Sequence, residues 1–143
     1  MNRAACIMAA VAFLGFGPVT HGACATTETD TAAIHQVIES QLKALQKGDG
    51  AKAFDFSTPA LKARFRDPTA FVRMVRRNYR AIYRSNQISF GKLDDVAGLK
   101  IQHVVLVDTD DNAHVALFVM EHENDGKWRV AGCFLLPSDL TAT

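Results

Sequence analysis

Cysteine is scarce in this sequence, with three among 143 residues. Two of them, Cys6 and Cys24, lie near the N-terminus, and only Cys133 lies in the rest of the chain. A disulfide framework is therefore excluded for the main part of the chain, because a single thiol has no partner there. Cys133 lies in an apolar run, so we interpret it as an inert core thiol. The alternatives are a reactive thiol and an intermolecular bridge.

An excess of charge of one sign is also missing. The sequence has 16 Lys and Arg against 15 Asp and Glu, a formal net charge of +1. Nucleic acids and anionic membranes attract proteins mainly through an excess of basic charge. We therefore expect no nucleic-acid partner.

Recognisable catalytic motifs are absent as well. The sequence has no serine nucleophile elbow, no phosphate-binding loop and no dinucleotide fingerprint, so it predicts no cofactor and leaves the catalytic residues unknown. Metal motifs need ligands at short, regular spacing. The histidines after the N-terminal segment lack that spacing, and no metal site is predicted from them: His35, His103, His114 and His122.

The one long hydrophobic run is at the N-terminus. Arg3 gives a short positive start, an uncharged apolar stretch follows over 4–19, and Ala23-Cys24-Ala25 fits the small-residue cleavage pattern. We expect residues 1–25 to be a signal peptide, and the mature protein, beginning at Thr26, to be periplasmic or secreted without stable membrane insertion. Without Arg3, the mature chain has equal numbers of basic and acidic side chains.

Two alternatives to cleavage after residue 25 remain open. The segment would be an uncleaved membrane anchor if it stayed attached, although it is short for a membrane span. The chain would be a lipoprotein if Cys24 were the lipidated residue. His21, three residues earlier, stands where such sites favour an aliphatic side chain.

The first half of the mature chain has the apolar spacing of helices. Hydroxyl or carboxylate residues, in two cases followed by proline, are typical of helix starts. Four helices are predicted, beginning at Asp30 or Thr31, at Asp49, at Ser57-Thr58-Pro59 and at Asp67-Pro68. We expect the fourth to place these residues on one face: Phe71, Met74, Val75, Tyr79 and Ile82.

The second half has the pattern of strands. Four are predicted, over Ile88–Leu93, Ile101–Val107, Val115–Glu121 and Trp128–Leu136. Asp125-Gly126 lies between the last two apolar runs and predicts a tight two-residue hairpin turn. That turn would pair Val119 with Gly132 and Met120 with Ala131.

Helices followed by antiparallel strands indicate one α+β domain over 26–143, with the N-terminal helices packed on a curved antiparallel meander sheet. The last two strands are apolar on both faces. One face meets the helices. The other needs a cover, and a homodimer through the sheet face supplies the simplest one.

Four stretches that together span nearly the whole mature chain carry a family resemblance. They are Val37-Ile38-Glu39-Ser40-Gln41-Leu42 with Gly48-Asp49; Ala53-Phe54 through Ser57-Thr58-Pro59; Phe71-Val72-Arg73-Met74-Val75-Arg76 with Tyr79 and Tyr83-Arg84; and Asp125-Gly126-Lys127-Trp128-Arg129-Val130-Ala131-Gly132-Cys133. They resemble domain of unknown function 4864, a family of proteobacterial exported proteins. The resemblance extends to the cone-like α+β fold of nuclear transport factor two and ketosteroid isomerase.

The resemblance implies a fold and no activity. One position departs from the family pattern, which often has glycine after the phenylalanine of the mid-chain turn. Here Arg66 follows Phe65.

Arginine is concentrated in the middle of the chain. The fourth predicted helix repeats arginine every three to four residues, which puts them along one flank. Because the guanidinium fork matches carboxylate and phosphate groups, we identify anion-binding candidates: Arg73, Arg76, Arg77 and Arg80. The alternative is a solvated polar face opposite the apolar one.

Three polar groups are candidates for a ligand pocket. Tyr79 and Tyr83 are four residues apart on the predicted helix, and His103 alternates with apolar residues on a strand, so we expect it to face inward. We expect a mostly apolar pocket with these three at its polar end, binding a neutral or weakly acidic small molecule. The favoured function is a non-enzymatic pocket or interaction module. The alternative is a small isomerase or dehydratase using His103 with Tyr79 or Tyr83.

Overall fold

The structure is a computed structural model that describes residues 28–137. The predicted signal peptide, its cleavage site and the lipidation alternative at Cys24 lie outside the described residues. Five helices precede four strands: α1 (Glu28–Gln46), α2 (Gly50–Asp55), α3 (Pro59–Phe65), α4 (Pro68–Asn78), α5 (Arg80–Tyr83), β1 (Ser85–Val96), β2 (Leu99–Asp108), β3 (Ala113–His122) and β4 (Trp128–Leu135).

Three of the four predicted helix starts, at Asp49, Thr58 and Asp67, are confirmed by capping hydrogen bonds. The predicted start at Asp30 or Thr31 is wrong, because both residues lie inside α1, which begins at Glu28 in the described chain. Thr58 Oγ1 accepts from Leu61 N at 3.2 Å, and Asp67 Oδ1 accepts from Ala70 N at 2.8 Å. A proline occupies the first turn in both helices, where its missing N–H costs nothing. These caps fix where α3 and α4 begin.

Arg66 ends α3 in a left-handed conformation, with φ of 64°. Glycine adopts this conformation without strain, and it is the usual residue after a helix end. This is the position at which the family resemblance leads one to expect glycine. Here the backbone adopts this conformation with an arginine side chain in place.

The predicted continuous helix from Asp67-Pro68 to Ile82 is wrong. The chain leaves helical geometry at Tyr79, with φ of −130° and ψ of 48°, and restarts as the four-residue α5. The break turns α5 toward β2 and buries Ala81 and Ile82. Tertiary burial of these two side chains outweighs the local periodicity that favoured one helix.

The strands form one antiparallel sheet in the order β1-β2-β3-β4, and the predicted α+β class is confirmed. The helices cover one face of this curved, unclosed sheet. We call this the inner face. On β2 and β3 it presents these buried residues to α1 and α5: Gln102, Val104, Leu106, Ala116, Phe118 and Met120.

One polar residue in this core holds the curved part of β1. The β1–β2 register shifts between Phe90 and Leu93. Gln102 Nε2 donates there to Gly91 O at 3.0 Å and to its own neighbour His103 O at 2.9 Å. Gln102 Oε1 is left as the acceptor for His35 Nε2, 3.1 Å away on α1, so His35 carries its proton on that nitrogen. The His35 ring stacks on Phe90 with centroids 3.7 Å apart.

The β3–β4 hairpin is present, but its predicted two-residue turn is wrong. Gly126 N donates to Glu123 O at 2.9 Å, and Glu123 N donates to Lys127 O at 2.9 Å. Glu123 and Lys127 therefore form the closing pair, and three residues lie between them, with Gly126 left-handed at φ of 80°. This is the common three-residue hairpin, a turn followed by a left-handed glycine.

The longer turn changes the pairing near it. Val119 pairs with Gly132 as predicted, but Met120 pairs with Val130 instead of Ala131, because the register shifts between these pairs. Ala131 is the extra residue of the resulting bulge.

An ion pair closes the base of this turn. Both guanidinium nitrogens of Arg129 donate to the Asp125 carboxylate, at 3.0 and 2.7 Å. These bonds, aided by the backbone N–H of Lys127, lower the pKa of Asp125 to about 2. The carboxylate is exposed, so its effect on stability is screened by solvent.

We expect Gly126→Val to destabilise the domain by about 1–3 kcal/mol, because a β-branched residue is strained at positive φ. A Cβ built on Gly126 meets nothing within 4 Å, so the cost is one of backbone conformation alone. Urea unfolding measures it. Gly126→Asn, which tolerates the left-handed region better, should lose less. Equal stabilities for the valine variant and the wild type would contradict this account of the turn.

Candidate functional site

Two concavities lie on opposite sides of α4. The first, which we call the apolar cavity, has a volume of about 660 Å³ and lies between α3, α4 and β4. The second, which we call the arginine groove, has a volume of about 1150 Å³ and runs along α4 and α5 beside the start of α2. Residues that line the apolar cavity include Gln41, Leu61, Phe65, Phe71, Met74, Asn78, Tyr79, Phe118, Val130 and Cys133.

The wall of the apolar cavity is fixed by a short parallel pairing with the edge strand. Thr58 N donates to Val130 O at 2.9 Å, and Val130 N donates to Phe56 O at 2.8 Å. These two bonds hold the linker between α2 and α3 against β4. They place α3 over the bulge at Ala131 and leave open space between this helix and the strand.

Three amide or hydroxyl side chains and one exposed cation, Arg64, supply polarity in the cavity. Gln41 is buried and donates its Nε2 proton to Ala53 O at 3.1 Å, so its amide oxygen is the part available to a ligand. Asn78 is exposed, and Tyr79 is half-buried. None of the described residues that line the cavity is Asp, Glu or His.

Cys133 lies in this cavity. It pairs with the buried Phe118, so its side chain is on the inner face, and it is half-buried. Burial raises the pKa of the Cys133 thiol, which keeps it protonated at neutral pH. A protonated thiol is a poor nucleophile, in agreement with the interpretation of Cys133 as inert.

The arginine groove brings the predicted anion-binding candidates together. Arg73, Arg76, Arg77 and Arg80 all line it, despite the helix break, and Arg84 joins them. All five are exposed. Their side chains form no ion pair or hydrogen bond with any residue of 28–137. The described lining of the groove contains no Asp or Glu.

The prediction that His103 faces inward is wrong. On β2 the inner face carries Gln102 and Val104, so His103 lies on the other side of the sheet. Its Nε2 lies 2.9 Å from Asp94 Oδ2, and the His103 side chain is 23% exposed. Lys92 is the main cause that lowers the pKa of Asp94, and His103 adds to it. Both faces of β2 are rich in apolar residues, so alternation alone did not identify the inner one.

The two tyrosines do not meet either. Tyr79 lines the apolar cavity, whereas Tyr83 lines the arginine groove, where the guanidinium of Arg76 lies 5.4 Å from the centre of its ring. On a continuous helix they would share a face. The break at Tyr79 separates them. The structure therefore does not bring together Tyr79, Tyr83 and His103, on which the isomerase or dehydratase alternative depends.

Sequence reasoning missed the residues that the cavity depends on. The sequence pattern places Met74 on one face of a helix and Cys133 in an apolar run, and no motif marks Gln41 or Asn78 as site residues. No pattern along the chain could have grouped them, because α3 is brought to β4 by contacts between residues far apart in the sequence, among them the pairing of Thr58 with Val130. A polar residue on an apolar helix face, as at Gln41, was the one available signal.

The face of the sheet opposite the helices is apolar and uncovered in residues 28–137. We call it the outer face. Val105 is 39% exposed and Phe134 is 59% exposed, both large fractions for such residues. The other apolar residues on this face, by their pairing, are Ile101, Val107, Val115, Leu117 and Val119.

No helix within 28–137 is long and apolar enough to cross a membrane. Over the same residues, no three His, Cys, Asp or Glu side chains lie close enough together to hold a metal ion.

Comparisons with known proteins identify a family and a fold. A family model described as a domain of unknown function, DUF4864, matches residues 27–143. A structure from Catenulispora acidiphila in complex with S-DNPA is similar, with 17% identity and a TM-score of 0.51, over 80% of this chain and 98% of that one. A second structure from the same organism has 17% identity and a TM-score of 0.48, over 78% and 93% of the two chains. No curated protein matches this chain.

Proposed function

This chain belongs to the DUF4864 family, a domain of unknown function, and we propose that it is a non-enzymatic module that binds a small molecule in the apolar cavity. The ligand is neutral or weakly acidic and mostly apolar. Residues 1–25 have the pattern of a signal peptide, so we place this role in the periplasm or outside the cell.

The observation that carries the proposal is the chemistry of the cavity lining. A general acid or base needs a side chain that exchanges protons near neutral pH, most often His, Asp or Glu. The described lining has none of these, and its one thiol stays protonated because burial raises the pKa of Cys133. The remaining polar groups donate and accept hydrogen bonds, which orients a ligand without transforming it.

The size and character of the cavity suit a small ligand. Its volume of about 660 Å³ lies within the range of roughly 300–1,000 Å³ that is usual for small-molecule sites. Such sites combine an apolar wall with a few convergent polar groups. Phe65, Phe71 and Met74 supply the wall, and Gln41 and Tyr79 supply polar groups on one side of it.

A structure of similar fold adds support. The Catenulispora acidiphila protein was solved in complex with S-DNPA. At 17% identity this likeness concerns the fold alone. A fold that holds a bound compound in one protein is a reasonable scaffold for a ligand pocket in another.

The pocket is tested by filling it. Cys133 points into the cavity, so Cys133→Phe should occupy space that a ligand needs, and Cys133→Ala should leave that space open. With the neutral apolar dye N-phenyl-1-naphthylamine as the probe, we expect saturable binding by the wild type and by Cys133→Ala. The phenylalanine variant should bind at least about tenfold more weakly, the equivalent of about 1.4 kcal/mol.

The two variants distinguish the effect of side-chain volume at position 133 from the effect of the thiol group. Retention of binding by Cys133→Ala excludes a role of the thiol itself, and circular dichroism establishes that both variants are folded. Equal dye affinity in all three proteins would show that the dye binds elsewhere, and the apolar cavity would lose its assignment.

The outer face of the sheet is a candidate dimer interface. We propose that a second copy covers it, because an apolar patch on a two-fold axis is complementary to itself. Four strands of this length cover an area on the order of 20 by 30 Å. That is near the roughly 800 Å² per partner that a standard interface buries. Most of the apolar cavity lies on the inner face, although Phe134 of the outer face also contributes to its lining.

A further inference from the structure

The arginine groove is a second concavity, separate from the apolar cavity, and α4 forms the wall between them. Arg73 and Arg77 are one helical turn apart on α4, and Arg76 and Arg80 are four residues apart across the break at Tyr79. Like charges at this spacing repel each other and destabilise the folded chain.

Nothing in the described chain compensates this repulsion. Within residues 28–137, five ion pairs and two histidine–carboxylate contacts occur, and none of them includes an arginine of the groove. The contact that is present, between Arg76 and the ring of Tyr83 at 5.4 Å, orients a guanidinium group without neutralising it. A solvated polar face usually carries both acidic and basic side chains, whereas the charged side chains that line this groove are all arginines.

Small residues also line the groove: Gly48, Gly50 and Ala51. A Cβ on Gly50 would lie 2.6 Å from Val72 Cγ2, so glycine allows α2 to begin directly against α4. This close approach places the start of α2 beside the arginines of α4.

We propose that the arginine groove binds a small ligand that carries two or more phosphate groups. Guanidinium forks bind phosphate oxygens in pairs, and a doubly charged phosphate compensates more positive charge per group than a carboxylate does. The near-neutral charge of the whole chain gives no long-range attraction for a polymer such as nucleic acid, so the ligand is one that fits inside the groove. A soluble diphosphate and clustered phospholipid headgroups share this chemistry.

Calorimetric titration with inorganic pyrophosphate at constant ionic strength tests the site. We expect one pyrophosphate per chain, bound more tightly than inorganic phosphate. Arg77→Gln and Arg80→Gln should each weaken this binding by about tenfold. Arg66→Gln removes the same charge from an exposed position that lines neither concavity, so it should bind as the wild type does.

Flotation with vesicles distinguishes the two sources of phosphate. Binding to phosphatidylglycerol vesicles, absent with phosphatidylcholine and lost in Arg77→Gln, would support the proposal and identify headgroups as the ligand. Saturable pyrophosphate binding without vesicle binding would support it and identify a soluble ligand.

Two results would overturn the proposal. One is the lack of both pyrophosphate and phosphatidylglycerol binding, which would leave a solvated polar face. The other is an equal loss in Arg66→Gln and Arg77→Gln, which would indicate general charge attraction rather than a site. Neither result bears on the apolar cavity.

Discussion

Replacing Gln102 with leucine is expected to lower the free energy of unfolding by about 2–4 kcal/mol, although leucine is a common strand core residue. Gln102 is fully buried. Its amide satisfies backbone carbonyls at the curved part of β1 and the ring nitrogen of His35 on α1. Leucine fills similar space but removes the hydrogen bonds to these partners, of which Gly91 is exposed and His35 half-buried. Unpaired buried polar groups cost about 1–3 kcal/mol each.

Urea unfolding followed by circular dichroism measures this loss. The matched control is Gln87→Leu, the same chemical change at an exposed position of β1, which should alter stability by no more than about 0.5 kcal/mol. A Gln102→Leu variant as stable as the wild type would show that the amide network does not fix α1 against β1.

Replacing Leu117 with glutamate is expected to convert a dimer into a monomer. Leu117 lies at the centre of the outer face, between His103 on β2 and Phe134 on β4. The two-fold axis of the proposed dimer would bring two such carboxylates into one apolar interface, and buried unpaired charge is costly. We expect the dissociation constant of the dimer to rise at least about a hundredfold.

Light scattering coupled to gel filtration reports the mass at known concentration. Ala63→Glu adds the same charge on an exposed position of α3 and should remain dimeric. A wild-type protein that is monomeric at about 100 µM, or a Leu117→Glu variant that stays dimeric, would contradict the proposed use of the outer face.

The local elements of this fold were accessible from the sequence because local signals specify them. The caps at Thr58 and Asp67 and the strand pattern after Ser85 each depend on neighbouring residues. The predictions that are wrong concern elements whose conformation depends on contacts between residues distant in the sequence. Tyr79 leaves the helix so that Ile82 reaches the core, and the bulge at Ala131 shifts the hairpin register.

The same distinction between local signals and distant contacts applies to the two candidate sites. The arginines of the groove were found because residues three to four apart on one helix share a flank, and that grouping survives the break at Tyr79. The apolar cavity depends on how far α3 stands from β4, a distance set by the pairing at Thr58 and Val130. The prediction that His103 faces inward is wrong because β2 is apolar on both faces. A period-two alternation separates the two faces of a strand but does not indicate which of them meets the helices.

Native mass spectrometry of the gently desolvated wild-type protein tests the central claim, that the apolar cavity holds a small apolar molecule. The account predicts a copurified or added neutral molecule bound once per chain in the wild type and in Cys133→Ala. The Cys133→Phe variant should retain much less of that molecule per chain under the same conditions. Bare chain mass for the wild type at saturating N-phenyl-1-naphthylamine, or equal retention of the dye by Cys133→Phe, would contradict it.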